Sequence, residues 1–580
     1  MKKSVTTITE NILIPIVLML LPLRHVAEGI DISDTGYSLG CFAWFGKLPG
    51  AVWVYVTYLS NIVGNLFTRL PGGDTWLGMN VYCSLVVSLI AVTSYFFLKG
   101  RIHPVLLTLG EVLAICLCWC PHIILYNYLT YLVLLIGTIL LFCGIPSHRK
   151  GHLLLAGMIL GLGVGVRFSN LTHMALIVAL WYYAFLKKVP VKKVIADTLF
   201  CIAGYVIGLL LFAASVYGIY RFENYGEMLS TLTTMGASGA GGYGLADMLL
   251  DAWKDYAEGL RWGALYIAYA GLGFLFWKVF LPRLASSRKG QKVWSGVALI
   301  LYIAGFGLLT RFTYGRGMFG LDYNEFFAYF KWAGFFAVLA IAGCLLVIVR
   351  KGESDENKLL ASLILLTILI LPLGSNNHAH PVYNDLFLIA PFTLEIWRRY
   401  LPKSIPVRTT AILCLLVFSV QCVLFGATYV FRDGTQGIKR DTKVTGSVIL
   451  NGMHTDAAHA KNLSEICTYA SDHNWTGREV ILYGDIPGLS YVLSMPSATT
   501  TTYANLDSYN MGLWERDFGR VEEKIAAAPK DDLSYPIVMI GTAYEPKDNK
   551  KELLLAFTGR HGYTKVFENA EFTAYERMTR

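Results

Sequence analysis

Long apolar runs separated by short polar segments make up most of the chain. Runs of about 15 to 25 residues recur between Asn11 and Phe431, and an α-helix needs about this length to cross a bilayer. The pattern predicts about thirteen membrane helices, near residues 11–24, 76–98, 104–120, 123–144, 153–167, 171–186, 194–220, 260–281, 293–310, 333–349, 359–374, 385–397 and 409–431. The fold class that follows is an all-α polytopic membrane domain over residues 1–431, with a long first outer loop over residues 24–75.

A polar tail, residues 432–580, follows the last apolar run. Its patterns predict buried strands, amphipathic helices and one hairpin that turns near Asn569–Ala570, which together make a small α/β domain. The predicted strands are Glu479–Asp485 and Tyr535–Gly541, the helices are Asp456–Trp475 and Asn549–Gly559, and the hairpin is Thr564–Glu576.

Composition agrees with a membrane protein and changes the list of possible partners. Of 580 residues, 55% are hydrophobic and 15% are charged, whereas about 25% charge is usual in soluble domains. This high hydrophobic content excludes a disordered or collagen-like chain. The net charge of +9 lies in short clusters between apolar runs, as topology signals do, so binding to nucleic acid is not expected.

The basic clusters also predict an orientation. Segments such as Lys187–Lys193, Arg350–Lys358 and Arg398–Arg408 fall on the same side as the N-terminus if thirteen helices cross the membrane. Because Lys and Arg concentrate in cytoplasmic loops, we expect a multi-pass plasma-membrane protein with its N-terminus in the cytoplasm. An odd number of helices then places the C-terminal domain outside the cytoplasm.

Two acids stand just after the first membrane helix, in the segment Asp31-Ile-Ser-Asp34-Thr-Gly-Tyr37. A carboxylate here could take the proton from an acceptor hydroxyl, which is the work of a general base. The alternative is that Asp34-Thr-Gly caps a turn or a helix start, with Gly36 supplying an unusual backbone angle. The sequence leaves both interpretations open.

Isolated cations at the outer ends of membrane helices depart from the charge bias, and Arg167 and Arg316 are the clearest candidates for a site. Arginine suits a phosphate because it offers paired donors, and lipid phosphates lie at this depth. The alternative for each is a side chain that only reaches the interface or forms an ion pair. Before Arg167, glycines Gly157, Gly161 and Gly165 recur every four residues and predict close helix packing.

The hairpin between the eleventh and twelfth predicted helices concentrates polar groups, including Asn377, His378, His380 and Asp385. A His-x-His pair near a carboxylate is a weak metal signal without a third ligand. Hydrogen bonds from the histidines to a phosphate or an acceptor are the preferred interpretation. The alternative that this loop only satisfies its own backbone hydrogen bonds also remains open.

The remaining acids fall into three groups. Asp322 and Glu325 share an outer loop with Arg316. Glu111 lies inside an apolar run, and buried intramembrane acids are functional candidates. Three further acids recur at helical spacing and indicate a solvated helix face, namely Asp247, Asp251 and Asp255.

The layout resembles the GT-C superfamily of polytopic glycosyltransferases, which includes protein O-mannosyltransferases, aminoarabinose transferases and the catalytic subunits of oligosaccharyltransferases. What corresponds is the acidic motif from Asp31 to Tyr37, about thirteen membrane helices, a glycine-rich helix ending in Arg167 and a C-terminal domain outside. The likeness covers the whole chain in layout, and only the first loop closely in motif.

The resemblance implies that Asp34 contacts and activates the acceptor, with Asp31 as a companion and Tyr37 nearby. It also implies a sugar donor carried on a polyprenyl phosphate, embedded in membrane lipid, and inversion at the anomeric carbon. Candidates for the donor phosphate are Arg167, Arg316, His378 and His380, and the further site candidates are Asp322, Glu325, Asn377 and Asp385.

Several families of that superfamily carry a second acid in the next outer loop, sometimes with a divalent metal such as Mg or Mn. Here that loop, from Cys120 to Asn127, holds no acid, so no cofactor is assigned and metal dependence stays open. Asp322, Glu325 or Asp385 would have to substitute for it.

We therefore expect a membrane glycosyltransferase whose acceptor, a protein, a cell-wall polymer or a lipid, the sequence does not specify. The alternative from another class is a transporter or flippase. Transport predicts charged groups near the bilayer centre and often two related halves, whereas most candidate groups here lie at the outer ends of the helices. A scaffolding member without catalysis is the third possibility.

Overall fold

The computed structural model describes most of the chain. The described residues are 8–238, 244–283, 288–323, 325–374, 376–433, 437–506, 509–527, 534–545 and 549–577. Within them the structure is a bundle of membrane helices followed by a small α/β domain, so the predicted fold class is confirmed.

A helix lies in each of the thirteen predicted segments. In chain order the α-helices up to the end of the bundle are Ile14–Leu20, Asp34–Ala43, Val52–Val56, Tyr58–Phe67, Trp76–Leu98, Pro104–Cys116, Leu125–Gly144, Lys150–Val166, Val178–Lys187, Val191–Tyr220, Tyr225–Ser238, Leu245–Leu275, Arg288–Gly315, Phe330–Val349, Asp355–Ile370, His380–Asn384, Ile389–Tyr400 and Ile405–Thr428. Short 3₁₀ or π turns extend several of them, at Thr9–Leu13, Leu21–Leu23, Phe168–Ile177, Phe276–Phe280, Leu281–Arg283 and Phe326–Tyr329.

Fewer than thirteen of these helices are long enough to cross a bilayer without help. Over the described residues, eight helices have the length and apolar character of a membrane span, and three shorter apolar helices accompany them. At the predicted spans 359–374 and 385–397, the helices Asp355–Ile370 and Ile389–Tyr400 are only 16 and 12 residues long. The chain is a multi-pass membrane protein.

Glycines allow two helices of the bundle to pack closely against each other. A Cβ atom added to Gly157 would lie 1.9 Å from the carbonyl oxygen of Cys201, and one added to Gly161 would lie 2.2 Å from that of Tyr205. Gly204 on the partner helix meets the carbonyl oxygen of Leu154 in the same way, at 1.9 Å. The predicted glycine face therefore packs backbone against backbone, as small residues allow in membranes.

The C-terminal domain is built on a four-stranded sheet. Its strands are β3 (Val480–Tyr483), β4 (Ile537–Gly541), β5 (Tyr563–Glu568) and β6 (Phe572–Arg577), in the order β3-β4-β6-β5, and a two-stranded ribbon of β1 (Thr442–Lys443) and β2 (His454–Thr455) precedes them. Strands β3 and β4 are parallel and the other pairs are antiparallel. The helices of the domain are Ala457–Asp472, Leu489–Val492, Met511–Ala527 and Lys550–Arg560.

Alternating residues of β3 and β4 enter two different cores. Ile481 and Val538 pack with the helices Met511–Ala527 and Lys550–Arg560. Val480, Leu482, Ile537 and Met539 join the cluster that continues into the membrane bundle. Because side chains of a strand point to alternate faces, both faces of the sheet are buried. One face therefore ties the domain to the bundle.

A contact between two glycines docks the C-terminal domain on the first loop. The amide of Gly488 donates to the carbonyl oxygen of Ile32 at 2.7 Å. A Cβ atom on Gly36 would lie 2.4 Å from the Cα atom of Gly488. Since neither position has room for a side chain, the domain sits directly on the helix that begins at Asp34. We call this end of the bundle the loop face.

Candidate active site

Asp31 caps the helix Asp34–Ala43, which we call the loop helix. One carboxylate oxygen of Asp31 accepts the backbone amide of Ser33 at 3.0 Å, and the other accepts that of Thr35 at 2.8 Å. The side chain is buried. Both oxygens are therefore used to satisfy amides at the helix start, which is the work of a cap. The two acids of the motif have different surroundings, and Asp34 is the one that faces other charged groups.

Asp34 is the first residue of the loop helix and lies beside Arg432. The Nη1 atom of Arg432 is 3.7 Å from the Oδ2 atom of Asp34, and it donates a hydrogen bond to the hydroxyl of Ser33 at 2.8 Å. Burial raises the pKa of Asp34 to about 6, against the opposing charge of Arg432. The side chain is still 35% exposed, so the carboxylate is both reachable and basic near neutral pH.

The C-terminal domain contributes Tyr503 to this group. The Tyr503 hydroxyl donates to an oxygen of Asp485 at 3.4 Å, and it is near enough to Asp34 and Arg432 to affect the pKa of both. Its ring packs against the ring of Tyr37, with centroids 5.6 Å apart. The surroundings of Asp34 are thus made by two parts of the chain that are more than 400 residues apart.

Arg167 approaches the same group from the bundle. Its Nη1 atom donates to the side-chain oxygen of Asn127 at 3.2 Å, and its guanidinium lies 5.3 Å from the ring centre of Tyr126. In the described part of the chain, no carboxylate lies within 4.0 Å of this half-buried cation. Asn127 in turn donates to the sulfur of Cys120 at 3.4 Å, and Cys120 lines the same cavity as Asp31. Arg167 and the acidic motif therefore border one short loop.

A second polar cluster joins the hairpin of residues 374–385 to the helix Leu245–Leu275. The carboxylate of Asp255 lies 3.5 Å from Nδ1 of His378 and 3.6 Å from Nε2 of His380, and accepts the amide of Ala379 at 3.1 Å. The expectation of a solvated helix face fits Asp247, which is exposed, but is wrong for Asp255. Helical spacing could not reveal this, because the partners of Asp255 lie more than 120 residues further along the chain.

The hairpin is fixed next to Cys120 by a buried amide. Asn384 donates to the hydroxyl of Tyr131 at 2.9 Å and accepts the backbone amide of Cys120 at 3.3 Å. On its other side, a Cβ atom on Gly374 would lie 2.1 Å from Cβ of Ser169. The hairpin therefore adjoins both the Cys120 loop and the turn after Arg167, and both polar clusters border the same part of the loop face.

The other predicted site residues differ in exposure, and two of them, Asn377 and Asp385, belong to the hairpin itself. Arg316 is exposed, with its guanidinium 5.4 Å from the ring centre of Phe312. Asp322, Glu325 and Asn377 are exposed as well, whereas Asp385 is buried.

Three residues of the two clusters were not among the predicted candidates, namely Arg432, Tyr503 and Asp255. Arg432 follows the last apolar run directly, so the argument made for cations at helix ends applies to it equally. Tyr503 follows the run Thr499–Thr502, and no local pattern marks it as a site residue.

The surroundings of Asp34 do not suit a divalent metal. Over the described residues, no group of three or more His, Cys, Asp or Glu side chains is placed to hold a metal ion. The neighbour of Asp34 is an arginine, and Asp31 has both oxygens engaged by amides. We therefore assign no step to a metal.

Comparison by sequence finds no relative. No protein-family model matches the chain, and no curated protein matches it.

Comparison by structure finds distant likenesses to solved structures, among them the following two. One is the oligosaccharyltransferase of Archaeoglobus fulgidus, in a complex with Zn and sulfate, at 12% identity and a TM-score of 0.44, over 91% of this chain and 68% of that one. The other is ArnT from Cupriavidus metallidurans bound to undecaprenyl phosphate, at 11% identity and a TM-score of 0.34, over 97% of this chain and 96% of that one.

Proposed function

We propose that the protein is an inverting glycosyltransferase that moves a sugar from a polyprenyl-phosphate donor to an acceptor, with Asp34 as general base. The observation that carries the proposal is the partly exposed carboxylate of Asp34 at the start of the loop helix, with the cation of Arg167 held at the Cys120 loop. The loop face lies outside the cytoplasm, at the surface of the plasma membrane. The sugar and the acceptor are not assigned.

The reaction balances with the groups present. The acceptor hydroxyl gives its proton to Asp34 while its oxygen attacks the anomeric carbon of the donor sugar. The bond between that carbon and the phosphate oxygen breaks, and polyprenyl phosphate leaves with the electron pair. Attack from the side opposite the leaving group inverts the anomeric configuration.

Negative charge grows on the departing phosphate, and a cation that is not already neutralised stabilises it best. Arg167 fits this role, because an amide oxygen and an aromatic ring are its partners in the described structure. Arg432 is partly neutralised by Asp34, so it orients the base and lowers its pKa. His378 and His380 border the same loop and can donate to the phosphate or to the acceptor.

A second candidate function, transport, rests on one different observation. Glu111 is completely buried within the bundle, and neither of its carboxyl oxygens has a hydrogen-bond partner in the described structure. Buried acids of this kind mark proton or substrate paths in transporters. Uptake of a lipid-linked sugar into proteoliposomes that requires Glu111 but not Asp34 would favour transport.

The test of the transferase is release of polyprenyl phosphate. Purified full-length protein is incubated with a panel of polyprenyl-phosphate sugars and candidate acceptors, and wild type is compared with Asp34→Asn. We expect turnover to fall roughly 10² to 10⁴ fold, the usual contribution of a general base. Equal release by both proteins would remove Asp34 from the mechanism.

The same variant supplies its own folding control. The pKa of Asp34 is higher in the folded protein than the ordinary 3.8, so its favourable contribution to folding is complete below pH 3.8 and is lost as the pH rises through 6. Asp34→Asn should therefore be at least as stable as wild type above pH 6. A variant that is inactive because it unfolds would show the opposite in a thermal melt.

A further inference from the structure

A cavity of about 370 Å³ lies where the cap turn of the loop helix, residues 30–34, meets the C-terminal domain. Its lining includes Arg432, whose Nη1 atom is 3.7 Å from the carboxylate of Asp34. The rest of the lining comes from the cap turn and the C-terminal domain, and among the described residues none comes from the membrane helices or the Cys120 loop. The cavity therefore adjoins the proposed base through Arg432 and is formed largely by the C-terminal domain.

The lining carries an excess of negative charge. Its five carboxylates are those of Asp31, Asp433, Asp456, Asp485 and Glu571, and its two cationic side chains are Arg432 and His459, whose ring nitrogens both face oxygen acceptors. His459 pairs with Glu571 at 2.6 Å, and Arg432 also faces Asp34, which lies outside the lining. The polar partners of Asp31, Asp456 and Asp485 in the described structure are amides and hydroxyls, and none is a cationic side chain. Three of the five carboxylates are therefore left without a cation of their own.

A buried carboxylate oxygen of this lining has no hydrogen-bond partner. Asp433 is 2% exposed, and its Oδ2 atom accepts no hydrogen bond in the described structure. Arg440 lies 3.3 Å from that oxygen, but its Nε donates to the backbone carbonyl oxygen of Asp433 at 2.8 Å. Asp456 caps the helix Ala457–Asp472 with Oδ1, which accepts two backbone amides at 3.0 and 3.1 Å. The cavity therefore combines unbalanced negative charge with an acceptor that a bound donor would satisfy.

We infer that this cavity binds an ammonium group carried by the acceptor, so that the acceptor is a hydroxyl compound with a primary amine. An ammonium group offers three donors and no acceptor, which matches these carboxylates, and charge-assisted hydrogen bonds of this kind are strong. Over the described residues, no group of three or more His, Cys, Asp or Glu side chains is placed to hold a metal ion. An organic cation is therefore the better match.

The position of the cavity assigns the amine to the acceptor and not to the donor. In the proposed reaction the donor phosphate binds at Arg167 and the prenyl chain lies in the membrane, whereas the described lining of the cavity comes from the cap turn and the C-terminal domain. The volume of about 370 Å³ is within the range of small-molecule pockets, about 300 to 1,000 Å³. A hydroxyl at Asp34 and an amine in the cavity can therefore belong to one acceptor. The inference rests on the proposed function in this step.

The test is direct binding of matched compounds to the purified full-length protein without donor, titrated by saturation-transfer NMR. Glucosamine is compared with glucose, which has a hydroxyl in place of the ammonium group, and N-acetyl-lysinamide is compared with N-acetyl-norleucinamide, which lacks the amine. Asp456→Asn removes a charge and keeps the helix cap, because asparagine caps as well as aspartate. Asp485→Asn removes the charge of an exposed acid, and Asp472→Asn is the matched control at the exposed far end of the same helix.

We expect at least one of the two amines to bind roughly tenfold more tightly than its neutral partner, as for one hydrogen bond to a charged group. Asp456→Asn and Asp485→Asn should each weaken that binding roughly threefold to tenfold, and Asp472→Asn should leave it unchanged. The amine that binds identifies its carrier as a sugar or a peptide. Equal binding of the neutral compounds, wild-type affinity in both cavity variants, or an equal loss in Asp472→Asn would overturn the site.

The binding measurement needs no turnover, so failure of this inference and failure of the proposed function are distinguishable. Amine binding that persists while Asp34→Asn releases polyprenyl phosphate like wild type would overturn the proposed base and keep the amine site. Absence of amine binding beside release that depends on Asp34 would overturn the acceptor class and keep the transferase. Release should rise with the amine that binds, and an amine that binds without raising release would overturn its role as acceptor.

Discussion

Two regions of the loop face each set an acid beside basic side chains, and they differ in which carboxylate oxygens remain available. At the cap turn, Asp34 faces Arg432 with its side chain 35% exposed. At the hairpin, one carboxylate oxygen of Asp255 accepts the amide of Ala379, and the carboxylate lies between two histidines. Exposure and free acceptor capacity, more than proximity to a cation, distinguish a carboxylate that can take a proton from one that holds a loop.

The surroundings of the two acids sharpen the contrast. The hairpin histidine His380 is packed among the rings of Trp119, Phe326 and Phe330, with centroids 6.1, 6.3 and 4.3 Å away. Asp34 instead lies where the loop helix meets the C-terminal domain, and its neighbours are polar. The hairpin is therefore held rigidly, whereas the cap turn lies at a joint between two parts of the chain, where we propose that the reaction takes place.

The largest effect is expected from breaking that joint. In Gly36→Ala the new Cβ atom would lie 2.4 Å from the backbone of Gly488, and backbone cannot yield as a side-chain tip can. We expect the free energy of unfolding to fall by about 1 to 3 kcal/mol, the usual cost of overpacking, and turnover to fall further because Tyr503 and Arg432 move away from Asp34.

Limited proteolysis and a thermal melt measure this effect on the full-length protein. Gly226→Ala is the matched control, since an added Cβ atom there meets nothing within 4 Å. If Gly36→Ala behaved like the control, the C-terminal domain would not need this contact. Docking of that domain would then not distinguish the surroundings of Asp34 from those of Asp255.

The next effect concerns the pH dependence of the reaction. With the pKa of Asp34 at about 6, kcat/KM should decline as the pH drops below 6, because the base becomes protonated. Arg432→Gln removes the opposite charge that lowers this pKa, so the acidic limb of the profile should move to higher pH by roughly one unit. A pH–rate profile of both proteins measures it. A limb that stayed in place, or moved to lower pH, would contradict the role given to Arg432.

The sequence predicted the positions of the helices well, because length and apolar character are local signals. Eight of the described helices, against thirteen predicted spans, have the length and apolar character of a membrane span. The sequence also found the acids of the first loop. It could not divide their roles, since the three-residue spacing of Asp31 and Asp34 suits both a cap and a base. The cap formed by Asp31 depends on a local backbone geometry that this spacing does not fix. Arg432 and Tyr503 join Asp34 only when distant segments meet, and Asp255 was assigned wrongly for that second reason.

A smaller effect is expected from Asp31, although it is the more buried acid of the motif. Asp31→Ala removes the acceptor for the amides of Ser33 and Thr35, so the free energy of unfolding should fall by about 1 kcal/mol, as for other helix caps. Denaturant titration measures it. Turnover of the protein that stays folded should change far less than in Asp34→Asn, and a loss as large as in Asp34→Asn would give Asp31 a direct part in the reaction.

The smallest effect is expected from Asp255, because its ion pairs are partly exposed and its position is held by other contacts. Asp255→Asn keeps an oxygen for the amide of Ala379, and exposed pairs of this kind contribute roughly 1 kcal/mol or less. The hairpin should stay in place through Asn384, which ties it to Cys120 and Tyr131. We therefore expect a melting temperature close to wild type and turnover reduced only severalfold. A drop in turnover comparable to Asp34→Asn, with the melt unchanged, would mean that the hairpin takes part in proton transfer. Asp34 and Asp255 would then no longer divide into one acid that reacts and one that only holds a loop.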